Sequence, residues 1–414
     1  MDNKTEKSKH VDVDYSLEPV PQSSRKKFLP MFFIMLGFTF FSASMSVGAK
    51  LGNGLDLKGF SIAVLVGGII LSIYTGVLGY IGSQTGMSLD LLAQRSFGKY
   101  GSFLPSALIT FTQIGWFGVG VAMFAVPAAE VLHISPIILV AIAGFCMTAS
   151  AYFGVKGLEV VSYISVPLIA ILGIYSMITA TNEGGGLVAI FAKNSGELSI
   201  FAGVGLVIGS FVSGGTATPN FTRFAKSNKI AVITTVVAFF IGNTLMFAFG
   251  AVGGAFTGKD DIFYVMIAQG LMVPALIVLG ANIWTTNDNA LYTSGLGLSN
   301  ITKVRKRPMV IVAGVIGTVT AIWLYNNFVS FLNILNATLP PVGAIIMLDF
   351  FLNKENYKED SIVTDKVNIG SILGVIAGAV VGNLVKVGIA SVNAMATACI
   401  IYLIFYAIKK AKKK

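Results

Sequence analysis

Thirteen consecutive residues inside a greasy stretch, NIWTTNDNALYTS (Asn282 to Ser294), carry three asparagines, three threonines, an aspartate and a serine. Wound as helix at about 100° per residue with Asn282 at zero, Thr286 falls near 40°, Asn289 near 340°, Thr293 near 20° and Thr285 near 300°. These form one polar stripe. Trp284 and Leu291 fall on the opposite side, and Asp288, near 240°, stands away from the stripe's centre. The stripe therefore offers hydroxyl and amide oxygens without a carboxylate. Joined by carbonyls released from a broken helix, such oxygens can replace the water around a small hard cation. The competing reading is interhelical hydrogen bonding, worth about 0.6 kcal/mol per contact on average.

Three further segments combine aromatic rings with amides and hydroxyls. In TFTQIGWFGVG, Gln113 and Trp116 are three residues apart and share a helix face. MLGFTFFSASMSVGAKLG carries Phe41 ahead of small and hydroxylic residues, and VIGSFVSGGTATPNFTRF carries Ser210, Phe211, Ser213 and Gly214. A buried Gln needs a partner, either a neighbouring helix or a ligand. No Lys or Arg lies deep in the apolar runs, and Asp288 is the only carboxylate near their middle. A charged solute would want a fixed countercharge there. The chemistry suits a small, neutral, flat molecule that forms hydrogen bonds, and stacking such a ring on an aromatic side chain contributes about 1–3 kcal/mol. Any one of these aromatics alone would read as ordinary core.

The elements that position these groups are membrane spans. The chain has 414 residues, 55% hydrophobic and only 12% charged, with a mean hydropathy of +0.79. A water-facing surface would demand about twice that charge. A span takes about 20 apolar residues wound as helix. Twelve such runs are present, roughly 28–49, 59–83, 102–128, 134–154, 158–180, 200–219, 229–255, 263–296, 308–325, 327–350, 369–386 and 390–408. They are continuous rather than alternating, which excludes a β-barrel.

Basic residues fix the expected orientation. With the first residue inside, inner segments carry 21 Lys and Arg, from Arg25 and Lys156 through Lys303–Arg307 to Lys413 and Lys414. The outer loops carry five, Lys50, Lys58, Lys193, Lys259 and Lys386. This bias predicts both termini in the cytoplasm and assigns the +10 net charge to topology and anionic lipid rather than nucleic acid. Residues 1–27 read as a cytoplasmic tail without signal-peptide features, 351–368 as a charged cytoplasmic loop, and 409–414 as a basic tail. Cys146 and Cys399 read as unpaired packing residues. His10 and His133 fall outside the spans, so neither a metal cluster nor a histidine proton relay is expected. An intramembrane enzyme would need paired titratable groups or a nucleophile with its base, and the spans supply neither.

Spans 1 and 6 each hold an interruption, and Ser213-Gly214-Gly215-Thr216 with Pro219 disfavours a continuous span 6. Five spans separate them, as five separate span 3 from span 8. An odd offset makes the two units enter the membrane from opposite sides, and paired broken helices in such inverted halves point to a transporter's midplane site. Small residues serving close helix packing are the alternative.

The segments LGFTFFSASM, TQIGWFGVGVAMFA, GSFVSGGT and NIWTTNDNALYTSGLG, with AIWLYNNFV and PPVGAII later, resemble the nucleobase:cation symporter family 1, and within it the bacterial cytosine permeases. The resemblance runs from about Pro21 to the last span. It implies a LeuT-type fold of five plus five inverted-repeat helices (28–180 and 200–350) with broken helices 1 and 6, and two additional spans (369–408). It implies pyrimidine uptake, the symport of cytosine with sodium by alternating access across a bacterial inner membrane, with no other cofactor and no obligate protein partner. It places the base pocket on Phe41, Gln113, Trp116, Ser210, Phe211, Ser213, Gly214 and Asn282, with the base between Trp116 and Phe211. It places sodium at the carbonyls of Gly37, Phe40 and Asn282 and the hydroxyls of Thr285 and Thr286. Two departures from the family pattern are Asn220, where an acidic residue is expected, and SVGAK after Met45. The rivals are a proton-coupled symporter of another nucleobase or a hydantoin, which would use Asp288, and a channel.

Overall fold

Hydrocarbon offers a backbone amide no partner, so each apolar run must close its own hydrogen bonds as helix. The computed structural model describes residues 15–153, 155–358, 361–385 and 387–412, without the side chains of 155–162, 329, 332, 333 and 336. His10, Lys386, Lys413, Lys414 and the side chain of Lys156 lie outside the described residues. Every apolar run contains helix. Leu57–Thr85, Phe103–Leu132, Tyr163–Glu183, Ile200–Thr222, Asn228–Thr257, Lys306–Asn326 and Ala390–Ala411 are each long and apolar enough to cross a bilayer. Span 1 is the bent pair Phe28–Thr39 and Ser42–Gly54, and Pro136–Ala151, Pro340–Leu352 and Ile369–Leu384 are shorter apolar helices. Span 8 is Gly280–Thr302, whose polar stripe keeps its hydropathy low.

Span 1 breaks where expected, with a 50° bend. Its inner half ends as the Phe40 amide donates to the Leu36 carbonyl at 2.8 Å; the chain resumes when the Ser44 amide donates to the Phe41 carbonyl at 2.9 Å. Phe41 between them is extended (φ −127, ψ 129). The break faces a π-helical turn of span 7, Ala238–Gly242, where a Cβ on Gly242 would stand 2.8 Å from the Thr39 hydroxyl. The outer half of span 1 then lies backbone to backbone on span 7. A Cβ at Gly250 would be 1.8 Å from the Met45 carbonyl oxygen, and one at Gly48, inside SVGAK, 2.3 Å from that of Phe247. Only glycine permits this approach.

Two expectations need correction. Span 6 is helical straight through Ser213-Gly214-Gly215-Thr216, as Ile200–Thr216. The interruption comes one turn later, at Ala217 and Thr218, where the helix tightens before Pro219–Thr222. Glycine disfavours a helix partly by exposing backbone to water, and here neighbours remove that exposure. The rings of Phe211 and Phe38 close over Gly214, and the Thr216 hydroxyl donates to the Val212 carbonyl at 2.8 Å beside the Tyr74 hydroxyl. The run 263–296 is likewise two elements: Ile262–Ala268 is a separate helix. It ends at Gly270, whose φ of +75 is the left-handed conformation that closes helices. The chain then climbs through Met272–Pro274 and a π-helical turn, Ala275–Leu279, into span 8.

The segments expected on one side of the membrane meet on one face. The Lys26 amide donates to the Phe224 carbonyl and Lys226 donates to that of Lys26 at 2.8 Å; Arg25 reaches the Ser83 carbonyl at 2.6 Å, and Val20 is buried beside Gly86. Arg95 bonds Ser361, and Lys409 pairs with Asp365. On the opposite face Asn53 bonds Asp260 and Tyr264 bonds Glu130. Cys146 and Cys399 are unpaired.

Candidate functional site

The bend of span 1 turns Phe41 toward span 3, and the unbroken turn of span 6 turns Ser210, Phe211, Ser213 and Gly214 toward the same point. Together with Gln113 and Trp116 they line one cavity, completed by Phe38 and by Thr286, Asn287 and Ala290 of span 8. All seven pocket residues carried over on spans 1, 3 and 6 therefore converge. Asn282 does not line the cavity, and Phe38, Asn287 and Ala290 were missed. The void is about 310 Å³, of which about 20 Å³ is wide enough to centre a water molecule, room for about one. The slot is nearly shut.

Its polar core is the Ser213 hydroxyl. The Trp116 indole N–H donates to it at 2.8 Å and the Gln113 amide at 3.5 Å. A hydroxyl has two lone pairs and one proton, so with both lone pairs engaged Ser213 has its proton to offer the cavity. Ser210 is the reverse: its proton goes to the Val207 carbonyl at 2.9 Å, leaving lone pairs. Trp116 is held by the edges of Phe41, Phe328 and Phe331, with centroids 5.6 to 5.7 Å away. Phe211 is held by Phe38 and Phe239 at 5.3 and 5.4 Å, both nearly perpendicular. Edge-to-face contacts of this kind fix ring planes. Asn287 donates to the Phe117 carbonyl at 3.2 Å, and its buried Oδ1 has no hydrogen-bond partner among the described residues.

Behind Phe41 lies a second, oxygen-rich cluster. The Phe40 carbonyl, released from its helix, accepts from the Asn282 side-chain amide and, at 3.5 Å, from the Thr286 hydroxyl. The Ser42 hydroxyl donates to Asn282 Oδ1 at 2.7 Å. Thr286 also reaches the Asn282 carbonyl at 3.4 Å; Thr285 reaches that of Ala281 at 3.1 Å and touches the Ser165 hydroxyl of span 5 at 2.5 Å. Gly37 is buried one turn before the bend. The donors are neutral oxygens, the set a monovalent hard cation takes. No trio of His, Cys, Asp or Glu suited to a metal occurs among the described residues. Of the remaining stripe, Asn289 donates to the Thr285 carbonyl at 3.0 Å, and Thr293 is buried. Span 8 thus shows two adjoining faces, one to the cavity and one to the oxygen cluster, and Thr286 belongs to both.

Asp288 faces elsewhere. The Ser150 hydroxyl of span 4 donates to it at 2.5 Å, and the Trp284 indole donates to Ser150 at 2.6 Å. Below the cavity, the predicted cytoplasmic floor is closed by groups the sequence did not single out. Arg223, fully buried, donates to the carbonyls of Tyr15 and Asn220 at 2.8 and 3.2 Å and to the Tyr292 hydroxyl at 2.9 Å. Asn220 accepts from the Leu89 amide at 2.8 Å, so the amide that replaces an expected acid serves as a latch to the short helix Leu89–Phe97. In that helix burial pushes the Asp90 carboxyl up to about 6, against the opposing pull of the Ser106 hydrogen bond and the charges of Arg223 and Lys303.

The family model for permeases of cytosine/purines, uracil, thiamine and allantoin matches residues 19–405. The cytosine permease of Escherichia coli (strain K12) is 49% identical over 403 residues, 97% of this chain and 96% of the relative. The hydantoin permease of Microbacterium maritypicum is 23% identical over 64% of this chain and 61% of its own length. Among solved structures, Mhp1, a nucleobase-cation-symport-1 family transporter in a closed conformation with bromovinylhydantoin bound, has a TM-score of 0.79 at 17% identity, covering 95% of this chain and 94% of that one. A Na+-coupled sialic acid symporter has a TM-score of 0.74 at 15% identity, covering 97% and 93%. The fold is thus the all-α LeuT type, and the chain belongs to the family of permeases for cytosine/purines, uracil, thiamine and allantoin: it is a multi-pass membrane transporter and not an enzyme.

Proposed function

We propose that the protein imports cytosine together with sodium across a bacterial cytoplasmic membrane, with both termini inside and two five-span halves, 28–180 and 200–350, forming the transport core. The observation that carries this reading is the shared residue: Thr286 lines the aromatic slot and also reaches the Phe40 carbonyl of the oxygen cluster. Likeness to a cytosine permease over 97% of the chain supports the substrate. The base would lie between Trp116 and Phe211, with Ser213 donating, Ser210 accepting and Gln113 reading a further edge. Sodium would take the Gly37, Phe40 and Asn282 carbonyls and the Thr285 and Thr286 hydroxyls, tying the bend of span 1 to span 8. That tie holds Phe41 in place, so ion binding tightens base binding, and by linkage the base tightens the ion by the same factor. Opening the floor at Asn220 and Arg223 would then release both inward.

Uptake of labelled cytosine into proteoliposomes tests this. An imposed inward sodium gradient should drive accumulation, and Trp116→Ala should abolish it. Undiminished uptake without sodium would overturn the coupling. The proton-coupled rival needs Asp288, which is bonded toward span 4 and away from the cavity. Asp288→Asn is therefore expected to leave the pH profile of uptake unchanged.

A further inference from the structure

The sodium ligands proposed above all lie on spans 1 and 8, yet a residue of span 5 reaches into the cluster. Ser165 is 1% exposed, and its hydroxyl oxygen lies 2.5 Å from that of Thr285. Thr285 also approaches the Ala281 carbonyl at 3.1 Å, the usual destination of a helical threonine's proton. With that proton spent, Ser165 is the donor in the pair. A hydroxyl has one proton and two lone pairs, so Ser165 occupies one lone pair of Thr285, and the two contacts together fix the direction of the other. Without Ser165 the Thr285 oxygen keeps its place in the helix but loses the partner that orients its free lone pair.

We infer that Ser165 is a positioning residue of the cation site, setting the Thr285 hydroxyl for the ion without touching the base. The inference rests on the sodium reading of the oxygen cluster and extends it to a third helix. Ser165 is absent from the cavity lining, and its one described side-chain partner is Thr285. Its removal should consequently act on the ion and reach the base only through linkage. Losing one neutral hydrogen bond corresponds to about a three- to tenfold change in affinity.

The test uses the purified full-length protein. Melting temperature against sodium concentration, without cytosine, reads ion binding directly; titration calorimetry with cytosine at saturating sodium reads the base. Ser165→Ala should raise the half-saturating sodium concentration about three- to tenfold while leaving the cytosine Kd at saturating sodium unchanged. Ser165→Thr, which keeps the hydroxyl, should restore the sodium response, and Ser165→Cys, a weak donor of similar size, should fall between. An unchanged sodium response in folded Ser165→Ala and Ser165→Cys would overturn the inference. So would an equal loss of cytosine affinity at every sodium concentration, which is the mark of general damage to the core. A wild-type protein indifferent to sodium in melting and in uptake would overturn the sodium reading itself, and this inference with it.

Discussion

Replacing Ser213 by alanine separates two energies that meet at one oxygen. Trp116 and Gln113 both donate to Ser213 Oγ, at 2.8 and 3.5 Å, and Trp116 is only 6% exposed. Alanine strands the indole N–H, and an unsatisfied buried donor costs about 1–3 kcal/mol. The empty and loaded transporter both bear that cost, so it appears as lowered stability and largely cancels from the binding equilibrium. The term specific to binding is the hydrogen bond that the Ser213 proton gives the ligand, about 0.5–1.5 kcal/mol, or roughly a three- to tenfold rise in the cytosine Kd. Ser210 provides the control: its proton is already committed to Val207, so toward the ligand Ser210→Ala removes only an acceptor, and because no buried indole N–H is stranded the stability should stay closer to wild type. Calorimetric titration at saturating sodium measures the binding term and thermal unfolding without ligand the stability term. A folded Ser213→Ala protein with unchanged Kd and unchanged melting temperature would refute the assignment of Ser213 as the slot's polar centre.

Two more outcomes follow from the geometry. Thr285→Ala should raise the sodium concentration needed for half-maximal uptake and spare cytosine affinity at saturating sodium. Thr286→Ala, which removes a hydroxyl shared by both faces of span 8, should weaken both, and identical behaviour of the two variants would contradict the two-face arrangement. The floor should respond to pH through Asp90. Its carboxyl is raised to about 6 when buried, from 3.8 when hydrated, so the closed floor is favoured while Asp90 is protonated, most fully below 3.8, and that preference is lost as the pH rises through 6. The two-unit difference amounts to at most about 3 kcal/mol. Amide exchange of Leu89–Phe97, corrected for intrinsic rates, should quicken between pH 5 and 7 in the wild type and lose that dependence in Asp90→Asn; an unaltered slope in the variant would remove Asp90 from the floor's control.

The long apolar helices were legible because lipid imposes a length and an apolarity that few other environments demand, and the stripe of span 8 because helical geometry places Asn282, Thr285 and Thr286 together whatever surrounds them. Hydropathy does not register a short turn, so the left-handed Gly270 and the separate helix Ile262–Ala268 were merged into span 8. Glycine's cost in water misled at Gly214 and Gly215, where packed rings and a threonine hydroxyl shield the backbone. Asn287 and Ala290 lie on the shoulder of span 8, about 140° and 80° from Asn282, and the sequence gives no hint that a second face exists there. Phe38 was hidden among many phenylalanines. Arg223, Asp90 and Ser165 read as ordinary polar residues, since only tertiary structure reveals that the first two are buried at a floor and the third meets Thr285.

The stretch from Tyr15 to Lys27, sewn to the underside of the bundle at Val20, Arg25 and Lys26, is placed to act as a mechanical reporter. A fluorophore at the exposed Gln22 would ride on this strap and register each parting of the inner surface. Shortened versions beginning at Phe28 forfeit this handle, and Arg223 loses the Tyr15 carbonyl while it keeps the Asn220 carbonyl and the Tyr292 hydroxyl.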